Sequence, residues 1–138
     1  MDERLVNTVR GYLESVRSRL IEVEYMLQGV DGSIKASTME EPISTSLAMT
    51  AFKLYLACTK ACKELQAHPP KTIVTEGSGR FYVVKPLADL LISVVLRGDL
   101  PLGLVLLELE DLELRVKKDF LDASVSMGEG GRLVINEG

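Results

Sequence analysis

The sequence of 138 residues contains no tryptophan, three phenylalanines and four tyrosines. Because large aromatic side chains are scarce, its core must be built from Leu, Val, Ile, Ala and Met, which favours packed helices over a large β-sandwich. Hydrophobic residues make up 46% and charged residues 26% of the chain, a composition that excludes a disordered or fibrous protein. A chain of this length fits one domain and buries most of its unfolded surface without disulfides or metals.

Groups that carry enzyme chemistry are also scarce. His68 is the only histidine; it precedes two prolines, which marks a helix end, and no nucleophile lies beside it. Cys58 and Cys62 are four residues apart, whereas a redox pair needs C-x-x-C, and with His68 they supply three of the four ligands of a structural zinc. We interpret both cysteines as small core residues, with a zinc site completed across a dimer as the alternative, and expect no cofactor.

No phosphate-binding motif is present. Two glycine-rich stretches, residues 77–80 and 128–132, each end in an arginine suited to holding an anion. Neither has the Lys-Ser/Thr pair and following helix of a P-loop, nor the spacing of a dinucleotide-binding fingerprint. Both are interpreted as hairpin turns, and the protein is predicted not to be an enzyme unless carboxylates and arginines alone suffice.

The chain lacks an excess of positive charge, since its formal net charge is −4 and its isoelectric point about 5.1. This argues against broad binding to nucleic acid or to anionic membranes. The first ten residues do not resemble a secretory signal, and Asp89, Arg97 and Asp99 interrupt the apolar run over residues 87–109. We expect a cytoplasmic protein with reduced cysteines and no membrane contact. The scarcity of Asn and Gln is a bias seen in thermophiles.

The most regular feature is an apolar stripe near the N-terminus. Hydrophobic residues recur there at alternating intervals of three and four, as on one face of a helix with a heptad pattern. They are Val6, Val9, Leu13, Val16, Leu20, Val23, Leu27 and Val30. The pattern predicts one long helix over residues 2–28, ended by Gly29 and Gly32.

Another part of the chain or a second molecule must pack on this stripe, because burying each Val or Leu contributes roughly 1.5–3 kcal/mol to stability. Most such stripes in short chains are intramolecular core; self-association is inferred here because no other activity is apparent. The predicted interface comprises Val6, Val9, Leu13, Val16, Leu20, Val23 and Leu27.

Further elements follow along the chain. They are a linker over residues 31–43, a second helix over 44–67, a β-hairpin over 72–85, a third helix over 86–97, a fourth helix over 101–123 and a tail over 124–138. One face of the second helix carries small side chains, among them Ala51, Cys58 and Ala61. Such a face lets another helix approach closely. The third helix is predicted from Pro86 at its start and Gly98 just past its end.

The fourth helix is ambiguous. Asp111 with Arg115 and Glu113 with Lys117 have the i,i+4 spacing that stabilises a helix, whereas residues 112–116 alternate like a strand. We favour the helix because its length also fits. The tail offers a second hairpin that could pair with the first.

A local basic surface provides an alternative function. Its residues come from the second helix and the hairpin, and they are Lys53, Lys60, Lys63, Arg80 and Lys85. Beside exposed aromatic residues, such a surface can bind nucleic acid.

The sequence therefore predicts a mainly α domain, a four-helix bundle-like fold with a small β-hairpin insertion and a C-terminal hairpin. The predicted function is that of a non-catalytic helical interaction protein, an oligomerising adaptor or a small subunit of a larger assembly. Its predicted partners are a second copy of the chain and an unidentified protein. The alternative is a nucleic-acid-associated accessory subunit.

Overall fold

The computed structural model describes residues 3–20, 22–97 and 101–121. In order, the elements in these ranges are α1 (Glu3–Arg19), β1 (Val23–Gly29), β2 (Ile34–Ser37), α2 (Ile43–Glu64), β3 (Ile73–Gly77), β4 (Arg80–Leu87), β5 (Leu90–Leu96), α3 (Leu102–Val116) and a π-helical turn (Lys117–Leu121). The predicted mainly α, four-helix bundle-like fold is wrong, because a β-sheet forms the centre of the molecule. The predicted C-terminal hairpin lies outside the described residues.

The five strands form one antiparallel sheet in the order β2-β1-β5-β4-β3. The predicted hairpin is present as β3 and β4, with Gly77 opposite Arg80, but it is one edge of this sheet and not an insertion. Its turn residues Ser78 and Gly79 both have positive φ angles, 56° and 77°, as a two-residue type I′ turn requires.

Helices cover both faces of the sheet. Successive residues of a strand point to opposite faces, and β5 shows the division: Leu90 and Ile92 pack with α1 and α3, whereas Leu91 packs with Ala51 of α2. The larger core lies on the α1 and α3 side and the smaller one under α2. None of the described helices combines the length and apolarity needed to cross a bilayer.

The helix predicted over residues 86–97 is wrong, because this segment is the end of β4 and the central strand β5. A central strand covered on both faces is apolar at almost every position, so its sequence carries no period that separates it from a buried helix. Ala88, at φ 54°, and Asp89 form the tight turn between the two strands.

The long first helix is also corrected. α1 ends at Arg19, and the apolar residues that continued its pattern belong to β1. Val23 and Leu27 are four apart, a spacing that puts residues on one face of a helix and equally on one face of a strand. The segment predicted as a linker contains β2, which pairs with β1 from Ile34 opposite Gln28 to Ser37 opposite Met26.

Candidate protein-docking surface

The predicted interface on the N-terminal stripe is covered within the chain. Its members from α1 and β1 pack against the sheet and α3 in the larger core, and Leu20 is partly buried beside them. They are Val6, Val9, Leu13, Val16, Leu20, Val23 and Leu27. Within one chain, these side chains are therefore already packed against other elements.

The predicted basic surface is not brought together. Lys53, Lys60 and Lys63 are exposed on α2, and Arg80 is exposed where β4 begins. Lys85 is only 3% exposed, and its Nζ lies 3.0 Å from Glu113 Oε1 of α3, on the other side of the sheet. Because Lys85 is buried and ion-paired, it cannot join the α2 lysines on one face for nucleic acid.

One side of α2 is anchored to the sheet by small residues and polar contacts. Ser44 Oγ lies 2.7 Å from Ser37 Oγ of β2, and the buried Gln28 amide of β1 donates through Nε2 to Ala48 O at 3.0 Å. Ala51 is fully buried in the smaller core. The small residues on this side of α2 therefore let the helix lie close to the sheet.

One flank of α2, next to the packed side, carries a second apolar row. Its members are spaced alternately by four and three residues, with four again at the end, so they share one flank of the helix. We call Ile43, Leu47, Thr50, Leu54, Ala57, Ala61 and Leu65 the α2 row. Leu47 is partly buried, Leu54 packs at the edge of the smaller core, and the other members are exposed, with Ile43 at 53%.

The α2 row differs in size along its length. Large side chains, Ile43 and Leu47, occupy its N-terminal part, and the alanines Ala57 and Ala61 lie towards its C-terminal part. An open hollow of about 340 Å³ lies at the N-terminal part, lined by Pro42, Ile43, Ser46, Leu47 and Thr50. The row therefore combines an apolar hollow at its N-terminal part with a stretch of small side chains, Ala57 and Ala61, that a partner can approach closely.

The other flank of α2 also exposes apolar side chains. Met49 is 57% exposed and Leu56 49% exposed. Met49 borders a second hollow of about 320 Å³ beside Gly32 and Ile34. The spacing along the helix places Lys53 and Lys60 between this flank and the α2 row.

The described residues offer little catalytic chemistry. No group of three or more His, Cys, Asp or Glu side chains within them is placed to hold a metal ion. Cys58 and Cys62 are free thiols, each partly buried on α2, and Cys58 packs against the smaller core. His68 is exposed beyond the end of α2. What the surface presents is apolar contact area.

A polar cluster joins α1 to α3. Arg19 binds both carboxylate oxygens of Glu108, at 2.7 and 3.2 Å. The Tyr12 hydroxyl lies 2.7 Å from Asp111 Oδ2 and 3.1 Å from Glu108 Oε1, and burial together with these two carboxylates raises the pKa of Tyr12. Every member of this cluster has a partner, so its role is to hold the two helices together.

The hydrogen bonds from Arg19, with a smaller contribution from Tyr12, lower the pKa of Glu108. A carboxylate with a lowered pKa stabilises the folded chain above its ordinary value of about 4.3, and this stability is lost as the pH falls through the lowered value. We expect Glu108→Gln to lower the free energy of unfolding by about 1 kcal/mol at pH 7 and by less at pH 3. Urea unfolding at both pH values measures this difference.

The control for that prediction is Glu22→Gln, an exposed carboxylate in the turn before β1, which should change the stability little at either pH. An equal loss for Glu108→Gln at both pH values would show that the charge of Glu108 is not what stabilises the contact.

Sequence reasoning identified the α2 row only in part, because the row read from the spacing combined Leu47, Leu54, Ala61 and Leu65 with Ala51 and Cys58. The row it identified, containing Ala51, Cys58 and Ala61, mixes the covered side of α2 with the uncovered side. A helix packed on one surface needs one apolar row, and α2 has two. The excess row, more than its small residues, is the feature that indicates a partner.

A scan against protein-family models and a search of curated proteins found no match to this sequence. Comparison of structures did find similar folds. MglB of Myxococcus xanthus aligns with a TM-score of 0.73 at 17% identity, over 88% of this chain and 93% of that chain. A Roadblock/LC7 domain from Streptomyces avermitilis aligns with a TM-score of 0.63 at 16% identity, over 72% and 88% of the respective chains.

A solved structure described as MglB with a tetrameric arrangement aligns with a TM-score of 0.70 at 18% identity, over 86% of this chain and 90% of that chain. The chain therefore has the α/β fold of Roadblock/LC7 domains. At these identities the likeness establishes the fold alone.

Proposed function

We propose that this protein is a non-catalytic interaction protein that assembles with a second copy of itself through the α2 row, and that the assembly serves as an adaptor or small subunit of a larger complex. The observation that carries the proposal is the largely exposed apolar row on one flank of a helix whose adjacent side is already packed on the sheet. Monomeric proteins rarely leave a contiguous apolar patch of this kind exposed without an interaction to cover it.

The shape of the row supports a second copy as the occupant. A symmetric dimer uses the same patch on both subunits, so the patch must complement itself. In an antiparallel pair of α2 helices, Ile43 and Leu47 of one copy lie near Ala57 and Ala61 of the other. Large side chains then pack against small ones at both ends of the interface.

The edge of the sheet supports the same assembly. β3 pairs with β4 on one side and is the outermost strand of the sheet, and all of its residues after Ile73 are exposed. An edge strand presents backbone groups that can pair with a strand of another chain. Ile73 packs under α2, so this edge adjoins the helix. The tetrameric arrangement of the similar MglB structure also favours self-association.

Two substitutions in the α2 row test the proposal. Ile43→Asp places a charge where the large end of the row is buried in the dimer, and Ala57→Arg fills the small end. We expect each to raise the dimer dissociation constant by roughly 100-fold or more, because a buried Ile contributes roughly 1.5–3 kcal/mol in each of two copies and a buried unpaired charge adds to that loss. Sedimentation equilibrium over a range of concentrations measures the change.

Met49→Asp is the matched control, since Met49 has nearly the same exposure as Ile43 but lies on the other flank of α2. It should leave the dissociation constant within about threefold of wild type, and thermal unfolding should confirm that all three variants are folded. If the wild-type chain is monomeric at every concentration, or if Met49→Asp dissociates it as strongly as Ile43→Asp does, the α2 row is not the interface.

A further inference from the structure

The outer face of α3 carries an apolar ridge that the proposed α2 assembly leaves uncovered. Val105, Leu109, Leu112 and Val116 of α3 are buried against the sheet. The opposite side of α3 exposes Leu104, Leu107 and Leu114, at 42%, 64% and 61%. We call these three leucines the α3 ridge. Leu107 and Leu114 are seven residues apart, so they lie in line on one face.

The charges around the α3 ridge are divided along the helix. The middle of α3, from Glu108 to Glu113, is acidic, and the segment from residue 115 to residue 118 is basic. Most of these charges have partners: Glu108 binds Arg19, Asp111 binds Arg115, and Glu113 binds Lys85 and Lys117.

Glu110 and Lys118 are different. Both are exposed, and neither has an ion-pair partner within the described part of the chain. Glu110 lies four residues before Leu114 and Lys118 lies four residues after it. Glu110 lies one α-helical turn before Leu114, and Lys118 lies in the π-helical turn that continues α3, so the two unpaired charges lie before and after the exposed Leu114 along the helix axis.

We propose that α3 is a second homotypic interface, in which the helices of two copies pair antiparallel about Leu114. In this register Leu114 of one copy packs against Leu114 of the other, and Glu110 of each copy faces Lys118 of the other. A two-fold axis requires a surface that complements itself, and an acid and a base at equal distances from a central leucine satisfy that requirement. The mixed charge of this face fits neither a membrane surface nor a nucleic acid, both of which call for an excess of basic residues.

This interface is independent of the proposed function, because α2 and α3 cover opposite faces of the sheet. Two different two-fold interfaces on one chain join dimers into a tetramer when the two symmetry axes generate a closed assembly. When they do not, the dimers join into longer arrays. A chain that uses both surfaces should therefore exceed the mass of a dimer at high concentration. Loss of either interface should leave a dimer held by the other.

Charge reversal tests the register directly. Glu110→Lys and Lys118→Glu each place like charges opposite one another twice in the interface, and we expect each to raise the dissociation constant of the α3 pair by roughly tenfold or more. The double variant carrying both changes restores opposite charges and should return to within about threefold of wild type. The measurement is sedimentation velocity at low ionic strength, in wild type and in the Ile43→Asp background.

Leu114→Asp should abolish this association. Because Leu114 is exposed, the variant should still fold, and circular dichroism checks this. Glu22→Lys, which reverses an exposed charge in the turn before β1, is the matched control for a general effect of net charge. Failure of the double variant to restore the association lost in the single variants would overturn the proposal, and so would an unchanged mass in Leu114→Asp. Because the Ile43→Asp background isolates α3, a failure of the α2 proposal is recognised separately.

Discussion

Replacing Leu13 with aspartate is expected to unfold this protein, not to dissociate it. Leu13 is 3% exposed and lies in the larger core, where α1 packs on the sheet beside α3. Removing a buried leucine side chain costs about 2–5 kcal/mol, and burying an unpaired carboxylate adds several more. The total approaches or exceeds the roughly 5–15 kcal/mol by which a domain is stable. Circular dichroism and thermal unfolding of the purified chain measure the loss.

The matched control is Leu107→Asp, the same change on the exposed side of α3, where the side chain is 64% exposed. It should alter the free energy of unfolding by about 0.5 kcal/mol or less, although it lies in the α3 ridge and should weaken that association. If Leu13→Asp were instead folded, soluble and reduced to a smaller oligomer, the N-terminal stripe would be an interface and the packing of α1 on the sheet would be wrong.

Removing the charge of Glu113 is the second change with a large expected effect. Lys85 is almost fully buried, and its Nζ lies 3.0 Å from Glu113 Oε1, 3.2 Å from Lys71 O and 3.4 Å from Thr72 Oγ1. Removing one partner of a buried ion pair leaves an uncompensated buried charge, at a cost of about 3–5 kcal/mol. Because the Glu113 side chain is 19% exposed, we expect Glu113→Gln to fall at the lower end, about 3 kcal/mol.

Two further variants distinguish the charge pair from general packing. Lys85→Met keeps the apolar stem and removes the buried charge, and Glu113 keeps its contact with Lys117, so the loss should be about 1 kcal/mol. Glu22→Gln changes an exposed carboxylate in the turn before β1 and should change the free energy of unfolding by about 0.5 kcal/mol or less. Chemical denaturation gives all three values. A Glu113→Gln variant as stable as wild type would show that Lys85 finds its stabilisation from Lys71 and Thr72 alone.

The sequence predicted elements correctly where a local signal was sufficient. The period of Val6, Val9, Leu13 and Val16 is that of α1, the proline pair after His68 follows a helix, and the glycines around Ser78 mark the β3–β4 turn. The i,i+4 spacing of Asp111 with Arg115 correctly favoured a helix. Each of these signals depends on residues within about one helical turn or one β-turn of each other.

The sheet could not be read in the same way. The segment from Leu90 to Leu96 is apolar because a strand at the centre of a sheet is covered on both faces. Nothing in its own sequence indicates that β1 and β4 pair with it. The end of α1 was missed for a related reason. No glycine or proline separates Arg19 from Val23, and the spacing of Val23 and Leu27 suits a helix and a strand equally.

What the sequence alone determined is which residues must avoid water and which turns the backbone can make, because hydrophobicity and φ preferences are properties of the residues themselves. Only the tertiary structure decided what covers each apolar row. The stripe of α1 is covered by the chain's own sheet, and the α2 row and the α3 ridge are left outside. The physical reason is that burial belongs to a pair of surfaces brought together over long distances in the chain, and the periodicity of one element does not specify its partner.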